Sequence, residues 1–240
     1  MSKRILILGG TGEARMLAVH LNELSFDVIS SLAGRTDNPT LPDGETRIGG
    51  FGGVEGLRDY LIGEKIDLLI DATHPFAARI STNAFEATKQ AGIEIIRLER
   101  QPWEAEEGDI WHHVQSLEDA VTALPKNCTA LVTIGRQQLG SFLDRGDVTV
   151  IARAIEAPSI VVPDNWEIIL ARPPFTLADE LELFRSRKID VLVTKNAGGN
   201  ETREKLIAAR QLQKPVIIID RLPKPTIQTF TTTEELLAAL

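Results

Sequence analysis

Residues 4–14, Arg4-Ile5-Leu6-Ile7-Leu8-Gly9-Gly10-Thr11-Gly12-Glu13-Ala14, change character halfway along. The unbroken apolar run Ile5 to Leu8 reads as a strand buried on both faces, because a strand with one wet face would alternate. The glycines that follow permit a tight turn. Beyond them Ala14, Leu17, Ala18, Leu21 and Leu24 recur every three or four residues, as in a helix with a single apolar face. Strand, glycine turn and helix in that order form the opening of a doubly wound α/β domain. There, backbone N–H groups and the helix N-terminus can hold a pyrophosphate.

The same rhythm continues in both directions from this unit. Asp27 to Ser31, Asp67 to Asp71 and Glu94 to Leu98 read as further buried strands. Around Arg100-Gln101-Pro102-Trp103 and the acidic stretch Glu104 to Asp109 the pattern breaks. It resumes with strands at Thr129 to Ile134, Val148 to Ala152, Trp166 to Leu170, Asp190 to Thr194 and Pro215 to Asp220. Helices fit Ser116 to Leu124, Thr176 to Ser186, Glu201 to Gln211 and Thr233 to Leu240. The expectation is an α/β protein of two Rossmann-like lobes with mainly parallel sheets and a cleft between them. Residues 1–100 would bind the cofactor and 101–240 the substrate.

Composition narrows the function classes. Apolar residues at 43% and charged residues at 25% are ordinary for a globular chain and argue against disorder. A net charge of -8, with no long Lys/Arg block, argues against a nucleic-acid partner. No stretch approaches the ~20 apolar residues that cross a bilayer, and the few apolar residues after Lys3-Arg4 are too short for a signal peptide. Cys128 is the one cysteine, so no disulfide forms within the chain and a reducing cytoplasm is expected. The adjacent His112 and His113 would point to opposite faces of a strand, so no metal site is expected. The oligomeric state is not legible.

Gly9, Gly10, Thr11 and Gly12 are the candidate pyrophosphate contacts, with Thr11 offering a hydroxyl. The spacing departs from G-x-G-x-x-G, and Glu13 would put a carboxylate near the anion unless it serves the helix N-terminus instead. An NAD-specific domain usually ends its second strand with an acidic residue. Here Ser30-Ser31-Leu32-Ala33-Gly34-Arg35 ends in small hydroxyls and a guanidinium, which suits the 2'-phosphate of NADPH. Ser31 and Arg35 therefore join the cofactor set. Gly49-Gly50-Phe51-Gly52-Gly53 either lines the cofactor site or is a plain connector.

Asp71-Ala72-Thr73-His74-Pro75-Phe76 follows an apolar strand, where open α/β sheets present ligand-binding loops. Thr73 is expected at the cofactor. His74 is expected at the nicotinamide half or the substrate, with proton donation as a catalytic option shared with solvent or a substrate acid. Further on, Thr194-Lys195-Asn196-Ala197-Gly198-Gly199 is again strand end and glycine loop, a candidate seat for carboxylates through Lys195, Asn196, Gly198 and Gly199. Arg136, after Thr133-Ile134-Gly135, holds an analogous place. Arg153 and Arg172 are further candidates, and Trp103, Trp111 and Trp166 read as packing residues.

Taken in order, Gly9 to Ala14, Ala33-Gly34-Arg35, Gly49 to Gly53, Asp71 to Ala77 and Lys195 to Gly199 resemble the precorrin-6A reductase family, which includes cobalt-precorrin-6A reductases. Arg97 to Trp103, Thr133 to Arg136 and Ile219-Asp220-Arg221 fit the same resemblance. It implies NADPH-dependent reduction of one double bond of precorrin-6A, an anionic tetrapyrrole, to give precorrin-6B in cobalamin biosynthesis. It leaves open whether the macrocycle carries cobalt. A rival class is a non-catalytic NADP-sensing Rossmann protein, and a third is an NADP-dependent epimerase or dehydrogenase on a small sugar. The third lacks its usual Tyr-x-x-x-Lys pair, because Tyr60, the one tyrosine, is followed by Glu64. A second anion-binding loop would be superfluous to a sensor.

Overall fold

The computed structural model describes residues 2–34 and 41–240. In chain order the first elements are β1 (Arg4–Leu8), α1 (Gly12–Glu23), β2 (Asp27–Leu32), β3 (Glu45–Ile48), α2 (Val54–Gly63), β4 (Leu68–Asp71), α3 (Ala78–Ala91) and β5 (Glu94–Leu98). Next come β6 (Trp111–Val114), α4 (Leu117–Ala123), β7 (Thr129–Thr133), a 3-10 helix (Arg136–Phe142), β8 (Thr149–Ala154) and β9 (Trp166–Leu170). The chain finishes with α5 (Leu177–Ser186), β10 (Val191–Lys195), α6 (Glu204–Gln211), β11 (Val216–Ile219), β12 (Thr229–Phe230) and α7 (Thr233–Ala238).

These elements form two units. The first comprises the described residues of Met1–Gln101 together with Leu222–Leu240, and the second is Pro102–Arg221. In the first, the sheet order is β12-β5-β4-β1-β2-β3, with the strand pairs parallel. Ile5 and Ile7 face α1 and α7, packing with Leu17, Leu21 and Leu236, whereas Leu6 and Leu8 face Leu57 and Leu61 of α2 and Ala84 and Ala87 of α3. Burial on both faces is why the strand reads as a continuous apolar run. The order reverses between β1 and β4, so the loops leaving their carboxyl ends flank an open crevice, the usual ligand position in such sheets.

The second unit repeats the scheme with the order β6-β11-β10-β7-β8-β9, again parallel. Leu131, Ile151, Leu192, Val216 and Ile218 pack against Phe184 of α5 and Leu206, Ala208 and Ala209 of α6. The alternate positions Ala130, Val132, Val150 and Ala152 are equally buried. Here the order reverses between β7 and β10, so the loops after Thr133 and Lys195 are the flanking pair.

One expectation is corrected. The span 101–240 was assigned to the second lobe, but its last residues, 222–240, belong to the first unit. Thr229 and Phe230 pair with Arg97 and Leu98, the Arg97 N–H donates to Gln228 O at 2.8 Å, and the Glu99 N–H donates to Phe230 O at 2.9 Å. The tail thereby covers an edge strand whose backbone groups would otherwise lie unpaired. Helix α7 is fixed by a capping box in which Thr232 and Glu235 satisfy each other's backbone N–H groups. Strand β3 was not foreseen either, because Glu45-Thr46-Arg47-Ile48 is a partly exposed edge with no apolar run.

Gly56 shows how closely the loop after β3 is held. A Cβ there would lie 1.8 Å from Phe51 O, inside any tolerable contact. Gly56→Ala is therefore expected to displace the Gly49 to Gly53 loop or α2 and to destabilise the protein by roughly 1–3 kcal/mol. A urea unfolding midpoint equal to that of the parent would show that the loop yields freely.

Candidate functional site

The first unit's candidate residues share one row of the sheet. Arg47 is registered with Ser31, Ser31 with Leu8, Leu8 with Asp71, and Asp71 with Arg97, all at or beside the carboxyl ends of their strands. From this row the glycine loop rises after Leu8. Gly10 sits at φ +109°, and a Cβ on it would meet nothing within 4 Å, so the loop presents bare backbone to open space. Thr11 is the N-cap of α1: its Oγ1 accepts from the Ala14 N–H at 3.1 Å and donates to Ala72 O at 3.1 Å. Its one hydroxyl proton thus ties the β1 loop to the β4 loop.

Glu13 accepts from Arg100 Nη1 at 2.7 and 2.9 Å through its two carboxylate oxygens. Burial raises the Glu13 pKa, but the charge and hydrogen bonds of Arg100 outweigh it and hold the carboxyl below its ordinary value. Arg100 therefore offsets the negative charge that Glu13 would otherwise bring to the first turn of α1.

After β4, Asp71 is 1% exposed and organises a buried network. Its Oδ1 accepts from Thr73 Oγ1 at 2.7 Å and from the Thr73 N–H at 3.3 Å, and its Oδ2 accepts from Arg97 Nε at 3.1 Å. Arg97 also donates through Nη1 to Pro225 O at 3.1 Å, while its buried Nη2 has no hydrogen-bond partner among the described residues. Thr73 Oγ1 lies 3.4 Å from Ser81 Oγ. The Thr73 hydroxyl, foreseen as a cofactor contact, is thus an anchor of its own loop.

The His74 ring accepts at Nδ1 from the Phe76 N–H at 3.2 Å. An accepting Nδ1 places the neutral ring's proton on Nε2. That bond holds the ring against its own loop.

Arg47 is a functional candidate that the sequence reading passed over. Its Nη1 donates to Ser31 Oγ at 3.2 Å and Gly49 O at 2.7 Å, its Nη2 donates to Gly50 O at 2.9 Å, and its guanidinium carbon stands 3.8 Å from the Phe51 ring centroid. The available signal was its place directly before the Gly49 to Gly53 loop. Ser31 is buried beside it, and Arg35 lies outside the described residues.

In the second unit the Lys195 to Gly199 loop is held from within. Asn196, 6% exposed, accepts at Oδ1 from the Trp103 N–H at 2.7 Å and donates from Nδ2 to Trp103 O at 3.1 Å. Trp103 Nε1 donates to Gly199 O at 2.8 Å, and Arg221 donates to Asn196 O at 2.9 Å and Ala197 O at 3.0 Å. The Asn196 amide, expected at the substrate, is the clasp of the loop. Trp103 and Arg221 are its other fasteners. Gly198 and Gly199 have positive φ, but α6 begins only at Glu204, so they do not open the helix directly as the sequence suggested. Lys195 closes β10 and is half-buried.

Arg136 follows Gly135, whose φ is +91°, and pairs with Glu156 at 3.1 Å. Arg172 Nη2 lies 3.9 Å from the other oxygen of the same carboxylate. Arg153 is buried against Glu180 at 2.8 Å and lies over the Phe175 ring at 3.9 Å, an internal ion pair. Among the described residues no group of three His, Cys, Asp or Glu side chains is placed to hold a metal ion, and no helix is long and apolar enough to cross a membrane.

A family model described as precorrin-6x reductase CbiJ/CobK matches residues 4–240. A precorrin-6A reductase of Rhodococcus erythropolis is 47% identical over 224 residues, covering 92% of this chain and 90% of the relative. One from Rhodobacter capsulatus is 45% identical over 233 residues, covering 96% and 93%. A solved structure of a CobK precorrin-6A reductase superposes with a TM-score of 0.93 at 44% identity, covering 99% of this chain and 95% of that one. The chain belongs to the precorrin-6x reductase family.

Proposed function

We propose that this protein is the NADPH-dependent precorrin-6A reductase of a cobalamin-producing cytoplasm, reducing one macrocycle double bond to give precorrin-6B. The observation that carries this reading is the agreement, over nearly the whole chain, with proteins of that name at 47% and 45% identity and with a solved fold at a TM-score of 0.93. The first unit fits a dinucleotide on its own chemistry. Gly10 presents bare backbone to open space beside the α1 N-terminus, Thr11 fixes that helix start, and Arg100 offsets Glu13.

When bound, the nicotinamide supplies a hydride to one carbon of the double bond, and the neighbouring carbon takes a proton. The chain's residues bind and position the partners, which is how such enzymes gain most of their rate. His74 stands at the nicotinamide or the macrocycle, and the proton comes from His74, solvent or a substrate carboxylic acid. Lys195, with the backbone of Gly198 and Gly199, binds a macrocycle carboxylate. Asn196 acts on the substrate through the loop it clasps.

Two guanidiniums bear on the cofactor, and they act differently. Arg47 holds the Gly49 and Gly50 carbonyls, so Arg47→Ala should weaken both cofactors by loosening that loop. Arg35 follows the second strand's small hydroxyls. Arg35→Ala should weaken NADPH by ~1.5–3 kcal/mol and leave NADH nearly unchanged, as expected for one lost charge-assisted bond to the 2'-phosphate. Calorimetric titration with both cofactors is the check. Equal losses for NADPH and NADH in the Arg35 variant would remove it from cofactor selection. The reductase activity itself is tested by following nicotinamide absorbance with precorrin-6A present and absent.

A further inference from the structure

Three carbonyls of the Lys195 to Gly199 loop are taken up by donors from elsewhere in the second unit. Arg221 donates through Nε to Asn196 O at 2.9 Å and through Nη2 to Ala197 O at 3.0 Å, and Trp103 Nε1 donates to Gly199 O at 2.8 Å. Trp103 is 9% exposed, packs in the core with Leu192 and Leu206, and carries the Lys205 ammonium 4.7 Å from its ring centroid, so its indole is a fixed donor. A trans peptide is planar, with its C=O and N–H on opposite sides. Fixing a carbonyl therefore aims the next residue's N–H the other way. The Gly198 N–H points away from Arg221, and the Asn200 N–H points away from Trp103. By the same rule the Ala197 N–H lies opposite Asn196 O, and it is consumed by Lys195 O at 2.8 Å.

The Gly198 and Asn200 N–H groups donate to no group among the described residues. Asn200 is exposed, whereas Gly198 is buried, where an N–H without a partner is rare. We propose that Arg221 and Trp103 are positioning residues: by holding the loop's carbonyls, they present the Gly198 and Asn200 N–H groups to one carboxylate of the substrate. Oriented backbone N–H groups form anion sites, and donors already in place need no rearrangement when the anion arrives. Each side chain sets one amide, Arg221 that of Gly198 and Trp103 that of Asn200. This inference deepens the proposed substrate reading and rests on it.

The test uses the full-length protein and uroporphyrin, a stable tetrapyrrole with a carboxylated rim. Exchange of single amide protons with water is followed by NMR as uroporphyrin is added to the parent, Trp103→Phe, Arg221→Met and Arg221→Lys, with NADPH titrated in parallel. In the parent, uroporphyrin should slow exchange at Gly198 and Asn200 severalfold and change Ala197, already bonded, much less. Trp103→Phe keeps an aromatic ring but loses the N–H donor, so the slowing should vanish at Asn200 and persist at Gly198. Arg221→Met should do the reverse, and Arg221→Lys should restore part of the effect at Gly198. The KM for precorrin-6A should rise severalfold in Trp103→Phe and Arg221→Met, with kcat changed less and NADPH affinity held. Merely loosening the loop would move both amides alike. That result, or unchanged protection in both variants, or a parent that reduces precorrin-6A while neither amide responds, overturns the positioning role and leaves the reductase reading standing. A parent that neither binds uroporphyrin nor reduces precorrin-6A overturns the substrate reading, and the amide site with it.

Discussion

Asp71→Ala will destabilise the protein by about 3–5 kcal/mol, because it leaves the Arg97 guanidinium buried without its counter-charge. Arg97 is 5% exposed, and its remaining side-chain hydrogen bond goes to Pro225 O. Water cannot readily replace the carboxylate in such a site, and Nη2 is already without a partner among the described residues. The variant also releases Thr73, whose hydroxyl and N–H both end on Asp71, so NADPH affinity should fall along with stability. Asp71→Ala combined with Arg97→Leu should recover much of the stability, since removing both members of a buried ion pair is far less costly than removing one. It should not recover the NADPH affinity, because Thr73 stays unanchored. Urea denaturation of the three variants measures this, and a loss below about 1 kcal/mol for Asp71→Ala would mean that Arg97 has another partner.

Asn196→Ala should be nearly as severe in the second unit. It orphans the backbone N–H and C=O of Trp103 together, two buried groups at roughly 1–3 kcal/mol each, for a loss of about 2–5 kcal/mol. Asn196→Asp is the informative companion, since it keeps the acceptor for the Trp103 N–H while losing the donor to Trp103 O. It should fall between the parent and the alanine variant in stability. If the loop serves the substrate, KM for precorrin-6A rises in both variants while NADPH affinity holds. A fall in NADPH affinity with unchanged KM would assign the loop to the cofactor instead.

The strands were legible where burial on both faces wrote itself into the sequence, as in Ile5 to Leu8 and Val191 to Val193. Strand β3 was not, since an edge strand keeps Glu45 and Arg47 at its surface and shows no apolar run. The tail was misassigned for a different reason. Nothing in Thr229-Phe230 states which sheet it joins, and the partner, β5, lies about 130 residues earlier, beyond any local pattern. At the site, residue type and strand-end position pick out loops but do not tell which way a side chain turns. Thr11, Thr73 and Asn196 read as facing a ligand, and their side chains also bond within the chain, Thr11 to Ala72, Thr73 to Asp71 and Asn196 to Trp103. Arg47 escaped because it became visible only once β3 was placed beside Ser31.

The central claim is hydride transfer from NADPH to a precorrin, and isotope transfer tests it most directly. The protein is incubated with precorrin-6A and NADPH in which both hydrogens of the hydride-donating nicotinamide carbon are deuterium, and the macrocycle is weighed by mass spectrometry. The expected product has gained one deuterium and one solvent proton, with an equal amount of NADPH oxidised. A macrocycle without deuterium, or oxidation no faster than in a protein-free control, would contradict the account.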